Sequence, residues 1–274
     1  FGKPLSTDAQ YEYWMSASSY LSYGGVLKVC RTAGTTLANA NAGVGATNAT
    51  LTGSGRIDNY DDYIDDHSEA TNFTYAAKNP GSWANDMKVC VIDDVADQVI
   101  GITTTSLAGV GATVGYGVTL SLSAVTLPGA GTTSEFTGYL KGIITGVTTD
   151  AVNSASTIDV KIVSRVSSAG TETRIDYAEG TNFAAYTAAD TVNFIDSSGA
   201  LAGSETVTTA IDWYDQQTLG LTNATLYWKS IAPKPTTNQY VTDRQGYNDA
   251  MHVVVVDDLG TITGSQGTIL EKHV

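Results

Sequence analysis

The stretch Met251-His252-Val253-Val254-Val255-Val256-Asp257-Asp258 decides how the rest of the chain is interpreted. Four consecutive valines offer no polar residue that could face water, so the run predicts a central strand buried on both faces of a sheet. Two other stretches, residues 25–31 and 86–94, share its β-branched character and its Gly, Asn or Asp borders. Because these three predicted strands lie far apart in the sequence, we expect the sheet to close over an inserted domain.

The fold class that this pattern favours is α/β (α+β) and multi-domain: a helix-covered mixed sheet body with an inserted β-barrel or β-sandwich domain. A helix is predicted over residues 11–23, after the capping box of residues 7–10, with Trp14, Ala17, Ser18 and Leu21 packing on the sheet. Residues 1–98 form the first part of the body and include an exposed loop or arm at 32–55. Residues 210–274 form its second part.

Residues 99–209 differ in composition and are interpreted as a protruding β domain inserted into this body. Alternating stretches at 118–122, 138–144 and 158–166 are separated by Gly, Ser and Pro-Gly turns. Short strands at this spacing, without helical periodicity, are typical of a β-barrel or a β-sandwich.

Composition excludes two classes of partner. The 274-residue chain has 14 Lys and Arg against 28 Asp and Glu, with a net charge of −14. Phosphate binding needs clustered basic residues, so direct contact with nucleic acid is not expected. There is no run of 18 apolar residues, so no membrane span is expected either.

The chain opens at Phe1 without a signal-peptide pattern and ends abruptly at Val274, and we interpret it as an internal fragment that lacks N- and C-terminal parts.

The cysteines and the acidic segment each allow more than one interpretation. Cys30 and Cys90 both follow Lys-Val in a predicted strand, and buried thiols are favoured over a disulfide or a metal site. Residues 56–69 are rich in acids, but they lack the register of a calcium loop. A helical segment with Tyr60, Tyr63 and Ile64 facing inward is favoured instead.

Two acidic pairs, Asp93-Asp94 and Asp257-Asp258, are the candidates for an active site. Each ends a predicted strand, where paired carboxylates could hold Mg²⁺ for a metal-dependent hydrolase. No nucleophile, phosphate-loop or dinucleotide motif accompanies them, and the three histidines lie in unrelated contexts. Capping and turn formation therefore explain both pairs better, and we predict no catalytic, cofactor-binding or metal-binding residues and no enzymatic activity.

Four stretches resemble the contractile tail sheath proteins of myoviruses, in the order of that family. The first resembles a Pro-Gly-x-Trp-Gly-Asn motif, with Ala84 where the family usually has Gly. The stretches are Lys78-Asn79-Pro80-Gly81-Ser82-Trp83-Ala84-Asn85-Asp86-Met87-Lys88-Val89, Trp213-Tyr214-Asp215-Gln216-Gln217-Thr218-Leu219, Tyr227-Trp228-Lys229-Ser230-Ile231-Ala232-Pro233-Lys234-Pro235 and Asn248-Asp249-Ala250-Met251-His252-Val253-Val254-Val255-Val256-Asp257.

The resemblance implies a virion structural protein of a bacteriophage tail, assembled in the host cytoplasm. Its expected partners are copies of itself in stacked hexameric rings and the tail tube protein, with baseplate and tail terminator proteins as further candidates. Contraction of such a sheath drives the tube through the host envelope during genome ejection. The alternatives are a β-rich surface adhesin that binds host glycans and the metal-dependent hydrolase already considered.

Overall fold

The computed structural model describes residues 11–28, 37–42, 56–69, 73–125, 136–150, 152, 155–174, 191–244, 246 and 249–274. Strand accounts for 42% and helix for 20% of the structure. The chain divides into two compact units. The first comprises residues 1–90, 221–224 and 254–271, and the second comprises 91–220, 225–253 and 272–274. The predicted boundaries at 98/99 and 209/210 remain predictions.

Strands and helices are numbered in chain order over the described residues. The strands are β1 (Asn41–Ala42), β2 (Tyr75–Ala76), β3 (Met87–Asp93), β4 (Gln98–Thr103), β5 (Gly117–Val125), β6 (Phe136–Asp150), β7 (Ala155–Ser167), β8 (Glu172–Arg174), β9 (Thr191–Ile195), β10 (Leu201–Thr206), β11 (Thr209–Asp212), β12 (Met251–Asp257) and β13 (Thr268–His273). The helices are α1 (Tyr11–Ser22), α2 (Tyr60–Asp62), α3 (Thr104–Val110), α4 (Trp213–Gln216) and α5 (Gln239–Thr242), with a π-helical turn at Tyr63–His67 and 3₁₀ turns at Ser82–Ala84 and Trp228–Ser230.

The valine run forms β12, the middle strand of a three-stranded sheet in the order β13, β12, β3. The predictions of a central strand here and of a strand at 86–94 are confirmed. Burial on both faces is wrong, because Val254 and Val256 are fully buried while Val253 and Val255 are only half-buried. Successive side chains of a strand point to opposite faces, so this sheet has one well-covered face.

Helix α1 forms where it was predicted, but it buries no residue. Trp14 and Ala17 are half-buried and Leu21 is exposed, so the predicted packing face on a sheet is wrong. The strand expected immediately afterwards is also wrong over residues 25–28, where no strand forms and Val26 is 84% exposed. Residues 29–31, most of the predicted arm at 32–55 and the capping box at 7–10 lie outside the described residues.

The acidic segment is helical, as predicted, and consists of α2 and the π-helical turn. Asn59 caps it, because its side chain accepts a hydrogen bond from the backbone N–H of Asp62. Tyr63 packs against Ile57 and Phe73 in a small cluster. The inward orientation expected of Tyr60 and Ile64 is wrong, since both side chains are exposed.

The Pro-Gly-Ser-Trp stretch forms a 3₁₀ turn that leads into β3. Gly81 precedes this turn with a φ of 126°, a conformation that L side chains rarely adopt. Trp83 is not buried beneath the turn. It is 40% exposed and its indole N–H donates to the carbonyl of Asn79, while Ala84 is the buried residue.

The second unit is built on one antiparallel sheet. Its strands follow the order β10, β9, β5, β6, β7, β4, β11, and β8 pairs with β7. Side chains on alternate positions of β4, β5, β6, β7 and β9 form a core, to which α3 adds Leu107. Thr103 caps the start of α3 and Gly111 ends it in the left-handed conformation. The fully buried members of this core include Ile100, Leu120, Leu140, Ile144, Ile158, Val160, Val192 and Phe194.

The predicted fold class is therefore wrong in the described part of the chain. The protein is mostly β, without a helix-covered α/β body. Helices α2 to α5 have three to seven residues, too few to cover a sheet. The inserted barrel or sandwich is also wrong: the described strands β4 to β11 form one sheet that starts at β10, ends at β11 and does not close.

Candidate functional site

Asp257, in the second candidate acidic pair, organises the turn that follows β12. Its carboxylate accepts hydrogen bonds from the backbone N–H groups of Gly260, Ile262 and Thr263 at 2.7–3.0 Å, and from the Thr263 hydroxyl at 2.9 Å. Burial opposes ionisation, but these donors outweigh it and hold the pKa of Asp257 below its ordinary value. The side chain is fully buried, and its oxygens are occupied by the protein's own donors.

Asp257 is expected to make folding more sensitive to acid. Because its folded pKa lies below an unfolded value of about 3.9, its stabilising effect is present above that pH and is lost as the pH falls through the folded pKa. The Asp257→Asn variant should therefore be less stable at pH 7 and lose less stability than the wild type between pH 7 and pH 3. Urea unfolding at both pH values measures this. The exposed Asp61→Asn variant is the control, and an unchanged pH dependence in Asp257→Asn would contradict the prediction.

The other three acids of the two pairs have different environments. Asp258 accepts hydrogen bonds from the backbone N–H and the hydroxyl of Thr222, at 2.8 and 2.6 Å. Asp93 is exposed, whereas Asp94 is buried and ion-paired with two lysines. The structural interpretation of Asp257 and Asp258 is thus supported by their contacts, and Asp94 belongs to a cluster that the sequence did not indicate.

That cluster, called the ionic cluster below, consists of Asp94, Asp97, Lys161 and Lys234 in the second unit. Lys161 Nζ lies 2.6 Å from Asp94 Oδ1 and 3.3 Å from Asp97 Oδ1. Lys234 Nζ lies 2.8 Å from Asp94 Oδ1 and also contacts Asp97 Oδ1. The side chain of Asp97 is 1% exposed and that of Lys234 is 13% exposed. Two positive and two negative charges are therefore in contact in a largely buried position.

Asp97 is the centre of the ionic cluster because its backbone and side chain are both fixed. Its N–H donates to the carbonyl of Val160 at 2.9 Å, and its carbonyl accepts from the N–H of Trp213 at 3.0 Å. Its Oδ2 accepts from the N–H of Ile162 at 2.8 Å. These bonds place the carboxylate between the start of β4 and the outer face of β7, where Lys161 projects.

Lys234 reaches the cluster from an extended segment between Pro233 and Pro235. Its Nζ donates to the carbonyl of Ala96 at 2.8 Å and lies 6.0 Å from the centre of the Trp213 ring. Burial alone would lower the pKa of Lys234, but the carboxylates of Asp97 and Asp94 outweigh burial and raise this pKa above its ordinary value. The ammonium is consequently kept charged.

Aromatic residues from the second and third family-like stretches cover this part of the second unit. Trp213, Tyr214 and Trp228 are all buried. Tyr214 Oη lies within hydrogen-bonding distance of two carbonyls, those of Ala232 at 2.9 Å and Pro233 at 3.2 Å. Burial raises the pKa of Tyr214 to about 12, so the phenol stays protonated and can donate. The aromatic layer holds the 231–235 segment that carries Lys234.

Three further features concern metal ligands, a hollow and the histidines. Among the described residues, no group of three or more His, Cys, Asp or Glu side chains is placed to hold a metal ion. A hollow of about 230 Å³ lies beside α3 in the second unit, and Thr, Ser, Gly and apolar residues line it without a titratable side chain. His252 contacts the carbonyl of Pro233 through Nε2 at 2.8 Å, and His67 is buried elsewhere.

Cys90 is buried on β3, as predicted. Burial raises its pKa to about 11, Asp258 adds to this effect and Lys88 opposes it. Thiolate is the reactive form, so both the pKa and the burial protect this residue. Cys30 lies outside the described residues.

A thiol reagent is expected to leave Cys90 unmodified until the protein unfolds. In a Cys30→Ala variant at pH 8, labelling in native buffer should be much slower than labelling in urea, since thiolate is scarce and access is blocked. The matched control replaces both cysteines with alanine and introduces Ser198→Cys in an exposed turn, where labelling should be fast in both conditions. Equal native rates for Cys90 and the introduced cysteine would contradict the burial of β3.

None of the helices in the described part of the chain has the length and apolar composition that a membrane crossing requires. Comparison of the chain with protein-family models, with curated proteins and with solved structures finds no match.

The sequence did not indicate Asp97, Lys161 or Lys234 as members of one site. Lys161 alternates with the apolar residues of β7, a pattern that ordinarily marks a solvated face. Lys234 stands between two prolines, which predicts an extended segment but gives no partner. Basic residues are rare in this chain, which has 14 Lys and Arg together, and this rarity was the one available signal.

Proposed function

We propose that this chain is a structural subunit of the contractile tail sheath of a bacteriophage. It assembles with copies of itself in stacked rings around the tail tube protein, and its rearrangement drives the tube through the host envelope. The observation that carries this proposal is the series of four stretches that resemble the sheath family in the family's order. The location that follows is the virion tail, with assembly in the host cytoplasm.

The positions of these stretches support the proposal. Each contributes residues to the packed framework: Ala84, Trp213, Trp228 and Val254 are 6%, 6%, 2% and 0% exposed. A protein core restricts the size and shape of its side chains most strongly. Because buried residues carry this resemblance, it reflects the packing of a fold more than a surface motif. Related assembly subunits would need such shared buried positions in order to keep the same packing.

The use of the charged groups also supports a structural role. Asp257 and Asp258 bind the chain's own N–H and hydroxyl groups, and Asp94 pairs with two lysines. An active site needs a nucleophile, base or metal ligand that can reach a substrate. These acids are engaged in holding turns and segments together, so they fit a subunit that works by rearrangement without hydrolysing a substrate.

Immunogold electron microscopy of phage particles tests the proposal. An antibody raised against the purified chain is expected to label tails along their whole length, because a sheath repeats its subunit in every ring. The same antibody preincubated with an excess of the chain is the control. Labelling confined to fibres or to the tail tip would contradict the sheath assignment and would favour the glycan-binding adhesin. Absence of label on all particles would contradict both.

A further inference from the structure

Lys234 and Asp97 are arranged as the two partners of an amide bond. The Lys234 amine contacts the Asp97 carboxylate through Oδ1, and each group is fixed from its other side. Nζ donates to the carbonyl of Ala96 at 2.8 Å, and Oδ2 accepts from the N–H of Ile162 at 2.8 Å. Reactants held in this way lose little further freedom on reaching a transition state, so their positioning lowers the barrier to reaction.

We propose that the side chains of Lys234 and Asp97 condense into an intramolecular isopeptide bond. Condensation releases water, so exclusion of solvent favours the amide over its hydrolysis. The side chain of Asp97 is 1% exposed and that of Lys234 is 13% exposed, with the Trp213 ring 6.0 Å from Nζ. The backbone N–H of Ile162 is positioned to stabilise negative charge that develops on Oδ2 during attack on Cγ.

Asp94 supplies the proton transfers that the condensation needs. The Lys234 amine is charged in the resting cluster, so it must give up a proton before it attacks. Asp94 Oδ1, 2.8 Å from Nζ, accepts this proton and passes it to Oδ1 of Asp97, so the neutral amine attacks a protonated carboxyl group; after the attack Asp94 carries a second proton from Nζ to the same oxygen, which leaves as water. Lys161 Nζ, 2.6 Å from Asp94 Oδ1, stabilises the ionised form of Asp94 that accepts each proton and that is restored when the proton is passed on.

The atoms and charges balance without any co-reactant. The Nζ–Cγ bond forms and the Cγ–Oδ1 bond breaks, and Oδ1 leaves as water with two of the three ammonium hydrogens. The third hydrogen stays on the amide nitrogen. One positive and one negative charge disappear together, and Lys161 and Asp94 remain as a matched pair. Neither Lys161 nor Asp94 is therefore left without a counter-ion.

The bond would join positions 137 residues apart, the start of β4 and the segment between two prolines. A link over such a long loop restricts the unfolded chain and stabilises the folded one. The inference rests on the ionic cluster alone and is independent of the proposed function.

Intact-mass spectrometry of the denatured full chain tests the bond. After expression and prolonged incubation of the folded protein, we expect a mass lower than that of the sequence by one water molecule. Digestion should yield a branched peptide that joins Lys234 to Asp97. A folded wild type with the unmodified mass overturns the proposal, and this measurement does not depend on any variant folding.

Four variants test which side chain supplies the amine, the carboxyl group and the proton transfers. Lys234→Arg keeps the positive charge but has no reactive amine, so it should show the full mass. Asp97→Asn should lose ammonia in place of water, and Asp94→Asn should give a slower, incomplete loss. Lys161→Arg should still lose water. A mass loss that survives Lys234→Arg but disappears in Lys161→Arg would overturn the assignment to Lys234.

Discussion

Replacing Val254 with Asp is expected to abolish folding of the first unit. Val254 is fully buried on β12, the middle strand of its sheet. An unpaired carboxylate there costs at least several kcal/mol, which is comparable with the 5–15 kcal/mol that stabilises a typical protein. We expect insoluble protein, or a chain whose urea unfolding shows no cooperative transition for this unit.

Val255→Asp is the matched control, since it introduces the same charge one residue further along the same strand. Val255 is half-buried, so its carboxylate can reach water and the loss should be much smaller. Equal stability of the two variants would show that both faces of β12 are equally covered. Folded, soluble Val254→Asp protein would show that β12 is peripheral.

The second large effect is expected for Lys234→Met, which removes one cation from the ionic cluster. Methionine has a similar length and no charge, so Asp94 and Asp97 would share only Lys161. Removal of one partner from a buried ion pair costs about 3–5 kcal/mol because a buried charge is left uncompensated. The midpoint of urea unfolding should fall accordingly, and loss of the proposed isopeptide bond adds to this fall.

Lys229→Met controls for the general effect of removing a lysine. Lys229 lies 3.2 Å from Asp215, but both side chains are about half exposed, at 48% and 49%. Exposed pairs typically contribute about 0–1 kcal/mol, so this variant should unfold close to the wild type. Similar losses for the two variants would mean that the ionic cluster contributes no more than a surface pair.

Local patterns predicted individual elements well. The helix at residues 11–22, the strand at 87–93 and the strands within 117–167 all follow from periodicity and turn residues that lie within a few positions of each other. The layer architecture was wrong because it depends on what covers each face. Val253 and Val255 look the same as Val254 and Val256 in the sequence, and only the tertiary structure distinguishes half-buried from buried positions.

The ionic cluster could not be predicted for a related reason. Asp97 and Lys234 are 137 residues apart, and neither belongs to a local motif that requires the other. Asp257 was more accessible to prediction, because the Gly, Ile and Thr that it binds follow within six residues. The hydrogen bonds of a turn can be predicted from residues close together in the sequence, whereas prediction of a long-range ion pair requires knowledge of the topology.

The position of β4 in its sheet has a consequence for how the protein is made. β4 lies between β7 and β11, and Gly101 pairs with Thr209, about a hundred residues later in the chain. A ribosome that adds about 5–20 residues per second therefore completes β11 roughly 5–20 s after β4. During this interval one side of β4 has no strand to accept or donate its backbone hydrogen bonds. The nascent chain presents an open edge that includes Val99 and Ile100, and a neighbouring nascent chain could pair there before β11 arrives.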